Sequence, residues 1–137
     1  MNAHGTYAVK SWDEKTYDQV SPKSKLTKAT VEYEFTGEIA GKGMVEYLMF
    51  YDYSDPNDPH KSSASYIGLM KFTGLISGRE GGFMMQDSGT FRNGVASSTL
   101  AILLNSGSGA LKGIRGTGRY RASQQRLEFE LDYDFSI

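Results

Sequence analysis

The dipeptide Asn93-Gly94 constrains this chain more than any other feature. Both central residues of a type I′ turn need positive φ, and Asn-Gly is the pair that tolerates this most readily. Runs of alternating apolar and polar residues flank it on both sides. A two-residue turn at this point sets the register. Arg92 faces Val95, Phe91 faces Ala96, Asp87 faces Leu100, Met85 faces Ile102 and Phe83 faces Leu104. Since side chains alternate across a strand, Phe83, Met85, Phe91, Leu100, Ile102 and Leu104 share one face. Gln86, Ser88, Thr90, Ser97 and Thr99 take the other. Asp87 falls on the apolar face, where a carboxylate needs a physical reason to be.

The same period-2 alternation runs through the whole chain, with no stretch of helical periodicity. Eight strands are expected, at 5–11, 27–37, 43–53, 64–76, 81–92, 95–104, 114–122 and 125–136. AGKG (40–43), SGRE (77–80) and NSGSG (105–109) are read as Gly-rich breaks, and SDPNDPHKSS (54–63) as a long polar loop. A turn at Gly78-Arg79 would set Met70 opposite Asp87, Phe72 opposite Met85, Tyr66 opposite Phe91 and Gly68 opposite Gly89. A turn centred on Ser123-Gln124 would set Arg119 against Glu128 and Arg115 against Asp132, a solvent-facing charge ladder. Short connections throughout imply an antiparallel meander in one domain, residues 1–137.

Such a meander must hide its edge strands, and closure into an eight-stranded barrel does so; a β-sandwich is the competing arrangement. One strand has more apolar surface than a barrel can cover. In MVEYLMFYDY (44–53), Val45, Tyr47, Met49 and Tyr51 share one face while Met44, Leu48 and Phe50 share the other. The second apolar face predicts a partner, most simply another copy of the chain.

Composition excludes several function classes. There are no cysteines, so disulfides, thiolate nucleophiles and zinc-thiolate sites are out. A formal net charge of −1 provides no field for nucleic acid or anionic lipid. No apolar run approaches the roughly 18 residues of a membrane span, and the N-terminus has no secretion-signal pattern, so a cytoplasmic location is expected.

Several segments resemble a bacterial family of uncharacterised proteins with an allene-oxide-cyclase-like β-barrel fold: VKSWDE (9–14), EFTGEIAGKGMVEYLMFY (34–51), GFMMQDSGTF (82–91), NSGSGALKGIRGTG (105–118) and LDYDF (131–135). The segment SGALKGIRGTG also resembles a Gly-rich strand-turn-strand of allene oxide cyclases and dirigent proteins. The resemblance implies an oligomeric eight-stranded barrel with an inner cavity and no established activity. No position matches a catalytic motif of the cyclases, so no catalytic residue carries over.

Asp87 and Glu46 are the candidate interior carboxylates, joined in the barrel lumen by Tyr66, Met70, Met85 and Leu100. A buried, unpaired carboxylate takes up a proton or costs several kcal/mol. Two of them in one cavity could hold a ligand's polar group or act as general acid and base. Binding of a small, largely apolar ligand, or a structural role, is the favoured expectation. An isomerase or cyclase and an interaction module are the alternatives. His4 lies near the terminus and His60 in the Pro-rich loop, so neither has the setting of a catalytic base. The loop's Asp52, Asp55, Asn57 and Asp58 lack EF-hand spacing. GSGALKGIRG lacks the GK[ST] of a phosphate loop and precedes a strand, not a helix. Trp12 is read as a packing anchor for the first strand. No cofactor and no metal are expected.

Overall fold

The computed structural model describes residues 1–123 and 127–136. Eight long strands carry the architecture: β1 (Asn2–Asp18), β2 (Lys25–Gly37), β3 (Ile39–Tyr53), β4 (Ser63–Ile76), β5 (Arg79–Arg92), β6 (Val95–Ile102), β8 (Ile114–Ala122) and β9 (Leu127–Phe135). A two-residue strand, β7 (Ser108–Gly109), is added along β5. The pairing order β4-β3-β2-β1-β9-β8-β6-β5 returns from β5 to β4, so the eight long strands form a closed antiparallel ring. Closure gives each of them a neighbouring strand on both sides, although β1 pairs with β9 only over residues 2–6. Among the described residues no helix is long and apolar enough to cross a membrane.

The Asn93-Gly94 corner is as expected. Both residues take positive φ, 54° and 75°, and the ladder pairs Arg92 with Val95 through Met85 with Ile102. Beyond Ile102 the strand ends, so Leu104 leaves the apolar face and is 73% exposed. Two other hairpins keep the expected parity but slip by two residues. Ser77 and Gly78, not Gly78 and Arg79, form the β4–β5 turn, with φ of 47° and 85°. Met70 therefore faces Met85, Tyr66 faces Gly89, and Gly68 faces Asp87. Between β8 and β9, Arg119 meets Glu130, Arg115 meets Asp134 and Tyr120 meets Phe129. Acidic residues stand at 128, 130, 132 and 134, so a two-residue slip re-pairs charge with charge and the sequence pattern cannot choose between registers. The expected turn at Ser123-Gln124 lies partly outside the described residues. AGKG is not a break: it lies within β3, and the chain turns at Gly37-Glu38.

Inward-pointing side chains fill one half of the ring completely. Phe35, Phe72, Phe83 and Phe129 pack in edge and tilted contacts, with ring centroids between 5.1 and 5.7 Å apart. Ile39, Ile76, Leu111 and Leu131, all buried, complete this half. The face of β3–β4 that points away from the interior stays apolar and uncovered. Met44, Leu48, Phe50, Ile67 and Leu69 are each 40–55% exposed there, and Leu48 lies directly opposite Ile67.

Candidate functional site

The other half of the ring opens into a chamber of about 770 Å³. Tyrosines provide its floor. Tyr33 of β2, Tyr47 of β3 and Tyr66 of β4, three adjacent strands, meet Tyr120 of β8, and their hydroxyls form one cluster. Tyr47 Oη lies 3.0 Å from both Tyr33 Oη and Tyr120 Oη. Tyr66 Oη lies 2.5 Å from Ser98 Oγ and 3.3 Å from Tyr120 Oη.

Asp87 sits directly beneath this cluster, with no exposed surface. Its Oδ2 accepts hydrogen bonds from Tyr47 at 2.7 Å and from Tyr120 at 3.2 Å. Its Oδ1 has no hydrogen-bond partner among the described residues. Burial pushes the Asp87 carboxyl up to about 6, held back from a larger rise by the hydroxyls of Tyr47, Ser98 and Tyr120. Burial also raises the phenols of Tyr33, Tyr47, Tyr66 and Tyr120 above the ordinary range, with neighbouring tyrosines and the Asp87 carboxylate adding to the rise. They remain neutral hydroxyls. Tyr47 commits its single proton to Asp87 and accepts from Tyr33, while the one proton of Tyr120 serves either Asp87 or the Tyr47 oxygen.

Glycine makes this geometry possible. A Cβ on Gly68, opposite Asp87, would stand 2.5 Å from the Glu46 carbonyl oxygen and 2.7 Å from Tyr47 Cδ1. Without it, the Tyr47 ring lies flat against β4 and reaches the carboxylate.

The wall toward the mouth carries a second carboxylate, which the sequence reading missed. Glu14 Oε2 accepts from Thr27 Oγ1 and Tyr51 Oη, both at 2.7 Å, and Oε1 accepts from Trp12 Nε1 at 3.0 Å. Trp12 is half-exposed beside it, stacked on Tyr47 with centroids 6.5 Å apart. Both residues face inward because β1 carries a bulge between Val9 and Ser11. One extra residue there flips the alternation, so Tyr7 and Val9 point inward before it and Trp12, Glu14 and Thr16 after it. The same strand runs to Asp18, well past the expected end at residue 11. Trp12, read from the sequence as a packing anchor, packs on Tyr47 and lines the chamber. The polar loop closes over one side of the mouth, contributing Asp55, Pro56 and Pro59. Its Asp55 Oδ1 is occupied by the backbone N–H groups of Asn57 and Asp58.

The six expected interior residues separate into three groups. Tyr66 lines the chamber. Asp87 lies one hydroxyl away from it, while Met70, Met85 and Leu100 are buried around and beneath the floor and do not line the opening. Glu46 is misplaced: it stands on the outer face, largely exposed, with Lys28 Nζ 3.4 Å away. The error is one of parity, since Glu46 alternates with the inward Val45 and Tyr47 and shares its face with Leu48. Among the described residues no group of three or more His, Cys, Asp or Glu could hold a metal ion.

Residues 3–133 match the model of a family described as Protein of unknown function (DUF3224). A solved structure of a protein of unknown function from that family, from Shewanella oneidensis MR-1, superposes with a TM-score of 0.81 at 22% identity. The match covers 100% of this chain and 98% of that one. At that identity the likeness establishes a shared fold and carries no activity. Among curated proteins none matches.

Proposed function

The chain belongs to the DUF3224 family, whose function is unknown, and from that premise we propose that it is a small β-barrel that binds a small, largely apolar molecule in its chamber. The single observation behind this reading is the half-open interior: one end packed solid, the other a cavity of about 770 Å³ walled by aromatic rings. Ligand sites typically measure about 300–1,000 Å³ and combine apolar walls with a few fixed polar groups. Here those groups are the tyrosine hydroxyls over Asp87 and the carboxylate of Glu14. The sequence resemblance supports reading the ring as an allene-oxide-cyclase-like barrel.

Trp12 is the sole tryptophan and stands at the mouth, so its emission reports occupancy. Nile red, a neutral apolar fluorophore, is expected to bind with micromolar affinity and take energy from Trp12. Ala96→Trp, which puts a large ring into the cavity, is expected to abolish that binding. Failure of Nile red to bind, together with native mass spectra showing no co-purifying small molecule, would refute the proposal.

A second reading has its own support. Asp87, with its carboxyl near 6, is linked through Tyr47 to the chamber floor, which is the wiring an isomerase or cyclase would use to move a proton. The exposed apolar face of β3–β4 supports association with a second copy of the chain, independent of either reading.

A further inference from the structure

We propose that the chamber's ligand is an organic cation, an ammonium group on an apolar body, whose charged head seats between Glu14 and the rings of Trp12 and Tyr47. This rests on the reading of the chamber as a binding site and adds the charge of what it takes.

Glu14 carries the argument. Its three hydrogen-bond donors, Thr27, Tyr51 and Trp12, are all neutral. They orient the carboxylate without cancelling its charge. Ion pairs among the described residues occur on the outer surface, Lys28–Glu46 and Arg119–Glu130 among them, and none involves Glu14. An ionised carboxylate offers about four acceptor positions. Three are filled, and Oε1, with Trp12 alone, keeps one side open to a positive charge.

The surroundings favour a cation over a neutral or anionic head. Trp12 turns its indole N–H edge to the carboxylate and stacks on Tyr47, so aromatic surface lies next to Glu14, and aromatic faces attract positive charge. This wall already holds a cation in that manner: Lys25 Nζ lies 5.0 Å from the centroid of Tyr51, whose hydroxyl donates to Glu14. Below, the floor has no proton to offer from Tyr47, which donates to Asp87. The floor therefore leans toward accepting hydrogen bonds, and a second carboxylate lies beneath it. A carboxylate ligand would meet like charge at both ends. Lys25 is a lining cation and works against a ligand of its own sign.

The test displaces Nile red from the full chain with three molecules sharing one apolar body: phenylbutyl-trimethylammonium, its neutral tert-butyl isostere, and phenylvalerate. The cation is expected to displace the dye at concentrations about tenfold or more below those of the isostere, with phenylvalerate weakest. Glu14→Gln is expected to erase the cation's advantage, read as the ratio of the displacing concentrations of isostere and cation within that variant. Lys25→Met, at the rim, is expected to sharpen the advantage by about twofold to tenfold. Equal displacement by cation and isostere in the wild type overturns the inference and leaves the chamber reading standing. So does an advantage that survives Glu14→Gln. No dye binding, together with native mass spectra showing no co-purifying small molecule, overturns both.

Discussion

Replacing Asp87 by Asn tests the central electrostatic claim, that the fold tolerates an ionised carboxylate under the tyrosines only at a cost. The carboxyl moves from an ordinary 3.8 to about 6 on folding, with burial as the first cause. At roughly 1.4 kcal/mol per pH unit, holding the charge above pH 6 costs about 3 kcal/mol relative to the protonated form. Between those two values the folded state binds more protons than the unfolded one. Stability from this group is therefore full below 3.8 and is lost as pH rises through about 6. The hydrogen bonds from Tyr47 and Tyr120 are already included in that figure. An asparagine keeps an oxygen for Tyr47 but adds an amide that only Ser98 or Tyr66 could satisfy, a penalty of about 1–3 kcal/mol if unmet. Asp87→Asn should thus stabilise the protein by up to about 2 kcal/mol at about pH 8 and destabilise it by about 1–3 kcal/mol at about pH 4. Urea unfolding followed by tyrosine and tryptophan emission at both pH values gives the comparison. Surface carboxylates such as Glu130 and Asp134, held low by Asn2 and by Arg119 and Arg115, lose their contribution on acidification in both proteins alike. They cancel in the difference. A wild-type-to-variant difference that is the same at both pH values would refute the reasoning.

Tyr47→Phe removes the shortest hydrogen bond to Asp87, so the carboxyl should titrate above about 6, read from the side-chain carboxyl carbon by NMR. A value at or below the wild type's would contradict the placement of that hydroxyl. Gly68→Ala should cost more than about 2 kcal/mol, because its Cβ meets the Glu46 carbonyl oxygen, whereas Gly78→Ala, with nothing within 4 Å but φ of 85°, should cost about 1. Thermal melts that order the two the other way would show that the Tyr47 ring does not need that space. Leu48→Lys and Ile67→Glu place charge in the outer β3–β4 face and should leave the melting temperature within a few degrees while reducing the mass measured by light scattering. A wild-type protein that is already monomeric at high micromolar concentration would remove the self-association proposal.

Alternation along the strands was legible from residue order alone, because a half-buried strand must place apolar side chains two apart. That is why all eight long strands, the Asn93-Gly94 register and the inward aim of Asp87 follow from the sequence. Glu46 was open to the same reasoning, since it shares parity with Leu48, and its outward position is where alternation puts it. Three features were not legible. The two-residue slips at the β4–β5 and β8–β9 hairpins preserve parity, so they cost no mismatch that a pattern could reveal, and three-dimensional packing chooses between them. Which half of the interior is filled depends on phenylalanines and isoleucines from several strands meeting at one level. Finally, the bulge after Val9 reverses parity within β1 and turns Trp12 and Glu14 toward the chamber. Nothing in VKSWDE marks it, because a bulge is decided by how two strands fit each other along their length. The residues that give the chamber its charge are therefore set by tertiary structure, on a frame that residue order had already determined.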